Sequence, residues 1–252
     1  MASEPLCAPG PIHIVMVGTT HPGNIGAAAR VMTNMGLSSL RLVQPRCFPD
    51  PEATARAAGA DDLLASTTVF DDLPSAVSDC SFVIGATARA RAIEWPLFDS
   101  VSAADHVVTE SLQGGAAVVF GPEASGLSNA QLDLCHAHLR IDVNEAFPSL
   151  NVATAIAIVS YEIRKRLLSS VSAVPSRSEK GKTPVTMGEF DGLMSHVETV
   201  MDETGFFLGP RTKLLRKLRR MFLHGVTTGE DVNILRGFLT AIRQKLGYQR
   251  PQ

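Results

Sequence analysis

The sequence predicts an α/β protein with a mostly parallel sheet covered by helices on both faces, followed by a small all-helical extension. Short apolar runs alternate with helical patterns over the first two thirds of the chain, and these runs are continuously apolar, as is typical of strands buried on both faces. Beyond residue 185 only helical spacing is found. The 252 residues include 45% hydrophobic residues, which is enough for a sizeable core.

Five strands and four helices are predicted in the first part of the chain. The strands are expected at Ile12–Val17, 40–43, 82–86, 116–120 and 138–143. Apolar residues recur three or four positions apart over 25–35, 72–79, 129–135 and 152–167, and this spacing predicts helices. Gly36 follows the first of these helices, at the position where a left-handed residue commonly ends a helix.

The remaining sequence predicts a linker and three amphipathic helices. Residues 169–185 are rich in Ser, Pro, Gly and Lys, a composition typical of flexible linkers. The three apolar faces beyond are formed by Phe190, Leu193, Met194, Val197, Val200 and Met201, by Leu214, Leu215, Leu218, Met221 and Phe222, and by Ile234, Leu235, Phe238, Leu239, Ile242 and Leu246. We therefore expect a disordered N-terminus over 1–11, an α/β domain over 12–168, a linker over 169–185 and a helical extension over 186–252.

Composition excludes several classes of protein. The formal net charge is −2, so any nucleic-acid surface must come from local clustering of basic residues. The apolar runs are shorter than the roughly 18 residues of a membrane span, and the first ten residues do not resemble a signal peptide. The 4 Cys and 7 His show neither C-x-x-C nor a helical H-x-x-x-H pair. We expect a cytoplasmic protein with no membrane contact and no metal site.

A glycine-containing loop, residues 21–30, joins the first predicted strand to the first predicted helix. Gly23 and Gly26 allow close approach of backbone or ligand, and Asn24 and Arg30 add polar side chains. The loop is not a phosphate loop, because Asn24 stands where that motif has Lys. The chain also lacks a G-x-G-x-x-G followed by an acidic residue, which disfavours a dinucleotide-dependent oxidoreductase.

A second glycine-containing loop, residues 121–128, follows predicted strand 116–120. Gly121 and Gly126 permit tight turns, and Glu123 lies between them in a crowded stretch of backbone. Ser128 is the predicted N-cap of the next helix. The alternative is a plain connecting loop with a solvated carboxylate.

A third segment, Ser149 to Asn151, precedes the most strongly patterned helix. Ser149 is the predicted N-cap of that helix. Asn is a poor helix former in a first turn, so helix formation does not explain Asn151.

Two basic segments are candidate RNA contacts. Arg89 and Arg91 follow predicted strand 82–86 on a loop that is suited to holding phosphate. In 211–220 six of ten residues are basic, namely Arg211, Lys213, Arg216, Lys217, Arg219 and Arg220. A basic helix is typical of a nucleic-acid surface, whereas a solvated loop and a solvated helix face are the simpler alternatives.

In this order the motifs resemble those of the SPOUT superfamily of AdoMet-dependent RNA methyltransferases and, within it, the TrmJ family of bacterial tRNA ribose methyltransferases. The family motifs N-x-G-x-x-x-R, G-x-E-x-x-G-L-S/T and S-L-N match the segments beginning at Asn24, Gly121 and Ser149. Residues 87–91 resemble a T-S-A-R-x-R segment, and 205–206, 217–222 and 233–237 resemble the TrmJ C-terminal region. Pro122 stands where the family usually has Arg.

The resemblance implies a deep trefoil knot, AdoMet as cofactor and 2′-O-methylation of ribose at nucleotide 32 of the tRNA anticodon loop. It implies cofactor contacts at Ala86, Thr87, Ala88, Gly121, Ile141, Ser149 and Leu150. A side chain at Gly121 is expected to crowd the bound nucleoside.

The resemblance also implies that Arg30 has the key catalytic role. Because a guanidinium is a poor base near neutral pH, we expect it to bind the phosphate beside the reacting ribose and to polarise the hydroxyl. Asn24 and Glu123 are expected to hold Arg30, and Ser149 and Asn151 to position ribose or cofactor.

The family pairs as homodimers with the active site at the interface, so Arg30 is expected to serve a cofactor bound by the other subunit. The apolar stripe of helix 152–167 is then an interface element, although a core helix has the same pattern. Basic helix 211–220 extends the tRNA surface. The alternatives are an enzyme acting on ribosomal RNA and a non-catalytic RNA-binding protein that keeps the fold.

Overall fold

A computed structural model describes residues 10–88, 95–170, 184–207 and 211–247. The chain divides into two compact units, Met1–Ser176 and Arg177–Gln252. Most of the segments expected to be a disordered N-terminus and a linker lie outside the described residues, as do Arg89 and Arg91.

The first unit contains seven strands and seven helices within its described part. In chain order they are β1 (Ile12–Val17), α1 (Pro22–Asn34), β2 (Ser39–Val43), α2 (Pro51–Ala57), α3 (Asp61–Ala65), β3 (Thr68–Phe70), α4 (Leu73–Val77), β4 (Cys80–Ala86), β5 (Leu97–Phe98), α5 (Ser100–Ser111), β6 (Gly115–Phe120), α6 (Asn129–Leu132), β7 (Ala137–Leu139) and α7 (Val152–Ser170). The predicted α/β class is confirmed.

The strands form one sheet in the order β3-β2-β1-β6-β4-β7-β5, and every pairing is parallel. All strands therefore end at the same edge of the sheet. Central strand β1 is fully buried, as a strand covered on both faces must be. Ligands of open parallel sheets bind outside the carboxyl ends of the strands, so the loops at this edge are the place to look for a site.

Helix α7 belongs to the core of this unit. Its apolar stripe, Val152, Ile156, Val159 and Ile163, is buried in the same cluster as the sheet, and the helix packs against α1 and α5. The stripe is therefore accounted for within a single chain.

One predicted strand is too long. Strand β7 ends at Leu139, and residues 140–143 are irregular. Arg140 is exposed and lies 3.7 Å from Asp142 in an ion pair, which places this charged stretch on the surface.

Several short elements were not predicted. Strand β3 is a three-residue strand whose Val69 is half exposed, and β5 has only two residues, so neither has a clear apolar pattern. The 12-residue helix α5, which buries the narrow apolar stripe Ala103, Ala104, Val107 and Val108, was also not predicted.

The second unit contains α8 (Met187–Glu203), α9 (Arg211–Gly225) and α10 (Gly229–Lys245). The six predicted apolar residues of α8 are buried. In contrast, Met221 on α9 is 67% exposed and Ile234 and Phe238 on α10 are each 63% exposed, so the described residues of this unit do not cover these parts of the two predicted apolar faces.

No helix within the described ranges is both long and apolar enough to cross a bilayer.

Candidate functional site

Three loops meet at the carboxyl edge of the sheet. One follows β1 and opens α1, one follows β6, and one joins β7 to α7. Because their strands are parallel and close in the sheet order, residues separated by about 100 positions or more in sequence come into contact there.

The carboxylate of Glu123 joins the first two loops. Its Oε2 accepts hydrogen bonds from the Thr20 backbone N–H at 3.1 Å and from the Thr20 hydroxyl at 2.9 Å. Its Oε1 accepts from the His21 backbone N–H at 3.3 Å and from the Asn24 amide at 2.8 Å. Glu123 is thus bound by four donors, which contradicts the alternative of a solvated side chain.

These donors determine the protonation state of Glu123. Partial burial acts to raise its pKa, but the hydrogen bonds from Asn24 and Thr20 outweigh burial and lower the pKa to about 2. The side chain is therefore a charged acceptor near neutral pH, and its chemistry is that of a positioning group rather than a proton donor.

Asn151 joins the third loop to the first. Its Nδ2 donates to Oδ1 of Asn24 at 2.9 Å, while its own Oδ1 accepts from the backbone N–H groups of Ala153 at 2.9 Å and Thr154 at 3.3 Å. Asn151 is therefore the N-cap of α7. The prediction that Ser149 caps this helix was wrong, whereas Ser128 does cap α6 as predicted.

A cleft of about 300 Å³ opens beside this hydrogen-bonded network. Its wall includes all seven residues for which the resemblance implies cofactor contacts, Ala86, Thr87, Ala88, Gly121, Ile141, Ser149 and Leu150. Glu123 and Val152, the first residue of α7, also line it. The volume falls at the lower end of the range of small-molecule sites, about 300 to 1,000 Å³.

The structure gives a reason for glycine at position 121 that lies within the loop itself, in addition to the expected crowding of a bound nucleoside. A Cβ atom there would collide with the backbone of Gly126 and Leu127, so glycine is required for the loop to fold back on itself. Gly126 has a φ of 65°, and a Cβ atom at that position would have no neighbour within 4 Å among the described residues, so its requirement is conformational.

Arg30 lies on the exposed side of α1 and outside the described residues that line the cleft. Within the described part of the chain it has no hydrogen-bond or ion-pair partner. The expected contacts from Asn24 and Glu123 to Arg30 are not made in this single chain, because those two side chains bind each other.

Some of the predicted RNA-binding residues of α9 are engaged within the second unit. Arg211 pairs with Glu198 and Asp202, each at 2.7 Å. Arg219 pairs with Asp191 at 2.6 Å. These ion pairs give Arg211 and Arg219 a structural role in joining α9 to α8.

The other basic side chains of α9 differ in exposure. Lys213 and Lys217 are exposed, whereas Arg216 and Arg220 are partly buried. Lys213 and Lys217, one helical turn apart, are therefore the basic residues of this helix that are most accessible to a phosphate backbone.

A second polar cluster lies at the opposite edge of the sheet, where the strands begin. Arg41 donates to both carboxylate oxygens of Asp79, at 2.6 and 2.7 Å, and its guanidinium lies 3.0 Å from Nε2 of His13. Burial and the nearby Arg41 lower the pKa of His13 to about 4. Burial also raises the pKa of the neighbouring Cys80 thiol to about 12. The cluster thus consists of the Arg41–Asp79 ion pair with His13 and Cys80 beside it, at the edge of the sheet where the strands begin.

Sequence reasoning missed Thr20, which supplies two of the four donors to Glu123. The residue stands directly before the motif that begins at His21, and nothing in the pair Thr19-Thr20 marks the second threonine as a donor to a residue about 100 positions away.

Comparison with known proteins identifies relatives of both units. Residues 11–161 match the SpoU rRNA Methylase family, and residues 188–251 match the C-terminal domain of tRNA methyltransferase TrmJ. The tRNA (cytidine/uridine-2′-O-)-methyltransferase TrmJ of Sodalis glossinidius is 38% identical over 96% of this chain and 93% of its own. The tRNA (cytidine/uridine/adenosine-2′-O-)-methyltransferase TrmJ of Pseudomonas aeruginosa is 39% identical over 95% of this chain and 97% of its own.

Solved structures show the same fold. TrmJ from Z. mobilis superposes with a TM-score of 0.80 at 33% identity, over 94% of this chain and 99% of that chain. The SpoU methyltransferase AviRb of Streptomyces viridochromogenes, solved in complex with AdoMet, has a TM-score of 0.51 at 21% identity. It covers 64% of this chain and 60% of its own.

Proposed function

Because the chain belongs to the TrmJ family of tRNA 2′-O-methyltransferases within the SpoU methylases, we propose that it methylates a ribose 2′-hydroxyl at nucleotide 32 of the tRNA anticodon loop, with AdoMet as methyl donor. The observation that carries the proposal is the convergence of Ser149, Leu150, Gly121 and residues 86–88 on one cleft beside the Glu123 network. Segments that are far apart in the chain thus meet at the same edge of the sheet, which supports the proposal.

The residues of the cleft fit AdoMet by their chemistry. Apolar side chains that are partly accessible, Ile141 and Leu150 among them, suit a flat adenine ring, and the hydroxyl of Ser149 offers a hydrogen bond to its polar groups. The cleft also lies at the carboxyl ends of parallel strands, where such folds bind nucleotide-like ligands. When bound, AdoMet supplies an electrophilic methyl group on a sulfonium.

The protein supplies orientation and charge for this reaction. The ribose hydroxyl must lose its proton as it attacks, and Arg30 does not take that proton because a guanidinium stays protonated near neutral pH. Arg30 instead binds the phosphate beside the reacting ribose and polarises the hydroxyl, and the proton leaves to phosphate or water. Asn24, Glu123 and Asn151 hold the loops in place, and Ser149 positions ribose or cofactor.

We propose that the active enzyme is a homodimer with a trefoil-knotted catalytic domain, and that Arg30 acts on a cofactor bound by the other subunit. The exposed position of Arg30, away from the wall of its own cleft, supports this arrangement. Sedimentation of the purified chain tests the dimer directly.

The helical extension, 186–252, is proposed to add a tRNA contact through α9. Lys213 and Lys217 present exposed positive charge on that helix, and Arg216 and Arg220 lie between or beside them. Arg89 and Arg91, which follow cleft residues 86–88 in the sequence, are proposed as further phosphate contacts. An enzyme of this kind works in the cytoplasm, where its tRNA substrate is found.

A methylation assay tests the function. Purified chain is incubated with labelled AdoMet and unmodified tRNA transcripts, and the product is mapped by nuclease digestion. We expect label on the ribose of nucleotide 32. Label in ribosomal RNA but not in tRNA would favour the ribosomal alternative, and AdoMet or RNA binding without transfer would favour a non-catalytic protein.

A further inference from the structure

We propose that the hydroxyl of Thr20 is a positioning group for methyl transfer, because it holds the Glu123 carboxylate in the orientation that also accepts the hydrogen bond from the Asn24 amide. The inference rests on the proposed function. It concerns a residue that lies outside the three motifs and acts through Glu123.

The two oxygens of the Glu123 carboxylate accept hydrogen bonds from different residues. Thr20 supplies both donors to Oε2, the backbone N–H at 3.1 Å and the hydroxyl at 2.9 Å. Oε1 is thereby left to the Asn24 amide at 2.8 Å, together with the His21 N–H at 3.3 Å. Without the hydroxyl, Oε2 keeps only the longer bond from the Thr20 backbone N–H at 3.1 Å, so the carboxylate is held less firmly in the orientation that meets Asn24.

The orientation of Asn24 depends on that carboxylate. An amide has one donor end and one acceptor end, and in Asn24 the donor end binds Glu123 while the acceptor end receives the 2.9 Å bond from Asn151. Asn151 in turn caps α7, whose first residue lines the cleft. The Thr20 hydroxyl thus stands at the start of a chain of hydrogen bonds that crosses all three loops.

The hydrogen-bond network is most stable when each of its donors and acceptors is paired. Glu123 is charged and partly buried, and a hydrogen bond to a charged acceptor is roughly twice as strong as a neutral one. A valine at position 20 has nearly the shape of threonine but cannot donate, so it removes the hydroxyl bond with little change in packing.

The test compares Thr20→Val with Thr20→Ser, which keeps the hydroxyl, and with Thr19→Val as matched control. Thr19 is the buried neighbour of Thr20. It is not among the donors to Glu123, which are Thr20, His21 and Asn24. For each variant we measure the thermal midpoint, the Kd of AdoMet by calorimetry, and kcat and KM for tRNA in the methylation assay.

We expect Thr20→Val to lower kcat about ten-fold, the effect of losing one charge-assisted hydrogen bond, with KM for tRNA within about two-fold of wild type. Thr20→Ser and Thr19→Val are expected to keep kcat within about two-fold. In a Glu123→Gln background, Thr20→Val is expected to add little further loss, because the two side chains act as one unit.

Equal losses in Thr20→Ser and Thr20→Val, or an unchanged kcat in Thr20→Val, would overturn the proposal. So would a full additional loss in the Glu123→Gln background. If wild type itself fails to methylate tRNA, the proposed function fails instead, so the two failures are distinguishable.

Discussion

The side-chain amide of Asn151 donates a 2.9 Å hydrogen bond to Asn24 across 127 positions of sequence. The same side chain caps α7 through its oxygen. One residue therefore does two things at once: it starts a helix of the core and fixes the amide that meets Glu123.

Replacing Asn151 with Asp separates these two functions. Asp is an equally good N-cap, so α7 is expected to remain intact and the thermal midpoint to change by only a few degrees. The carboxylate cannot donate to Asn24, so kcat is expected to fall about ten-fold or more. Circular dichroism and the methylation assay check this pair of results.

Asn151→Ala is the contrasting variant, since it removes cap and donor together. It is expected to lower the stability by an additional ~1 kcal/mol, the typical contribution of an N-cap. A wild-type rate in Asn151→Asp would show that the bond to Asn24 has no part in turnover.

Replacing Arg30 with Ala is expected to abolish turnover while leaving the Kd of AdoMet within a few-fold of wild type. The reason is its proposed role, which is to bind the phosphate beside the reacting ribose rather than to hold the cofactor. Arg164→Ala is a suitable control, because that guanidinium is also exposed and lies near Gly36, after the end of α1 that is remote from the site. An equal loss of AdoMet binding in Arg30→Ala would contradict the assignment.

Reversing the two exposed lysines of α9, Lys213→Glu with Lys217→Glu, is expected to weaken tRNA binding and to reduce the slope of log Kd against log salt concentration. Each phosphate contact contributes close to one unit to that slope, so a decrease of about one to two units is expected. Filter binding at several salt concentrations measures it.

Arg211 provides the comparison for this experiment. It already pairs with two acidic residues of α8, so Arg211→Glu is expected to destabilise the second unit more than it alters the salt dependence. If the two lysines could be reversed without any change in tRNA affinity, α9 would be a solvated face with no RNA contact.

His13 is expected to make the stability of the first unit decline with acid. It is 4% exposed, and burial together with Arg41 lowers its pKa from 6.5 to about 4 in the folded chain. The unfolded chain therefore takes up a proton below pH 6.5 that the folded chain does not take up until about pH 4. The stability contribution is complete above pH 6.5 and is lost as the pH falls towards 4, by up to about 3 kcal/mol.

Denaturant unfolding of wild type and His13→Gln over pH 4 to 7.5 measures this dependence. Glutamine keeps hydrogen-bonding capacity but does not titrate, so the decline between pH 6.5 and 4 is expected to be shallower in the variant. Parallel curves for the two proteins would show that His13 is not the group responsible.

The long buried strands and the helix of the core could be predicted from the sequence, because continuous apolar runs and a 3.6-residue stripe leave few alternatives. Strand β1 was predicted to the residue, and α7 within a few. The edge strand β3 and helix α5 could not be predicted, because a short exposed strand and a stripe of Ala and Val stand out little from the surrounding sequence. The exposure of Ile234 and Phe238 could not be predicted either, because an apolar stripe does not show how much protein surface is available to cover it.

For the site, residue identities were more predictable than contacts. The motifs singled out Asn24, Glu123 and Asn151, but the sequence could not show that they bind one another rather than Arg30. Such contacts depend on which loops the sheet order brings together. The hydrogen bond from Thr20 to Glu123 could therefore be recognised only once that order was known.

The close contact between α1 and α2 at Gly26 makes α1 a rigid spacer between Asn24 and Arg30. A Cβ atom at Gly26 would collide with the carbonyl of Ala53, so the two helices touch backbone to backbone. Any larger residue there would tilt the whole helix and displace both ends of the spacer together. A single methyl group, placed outside the cleft wall, is thus able to shift Asn24 and Arg30 together relative to the sheet without altering either side chain.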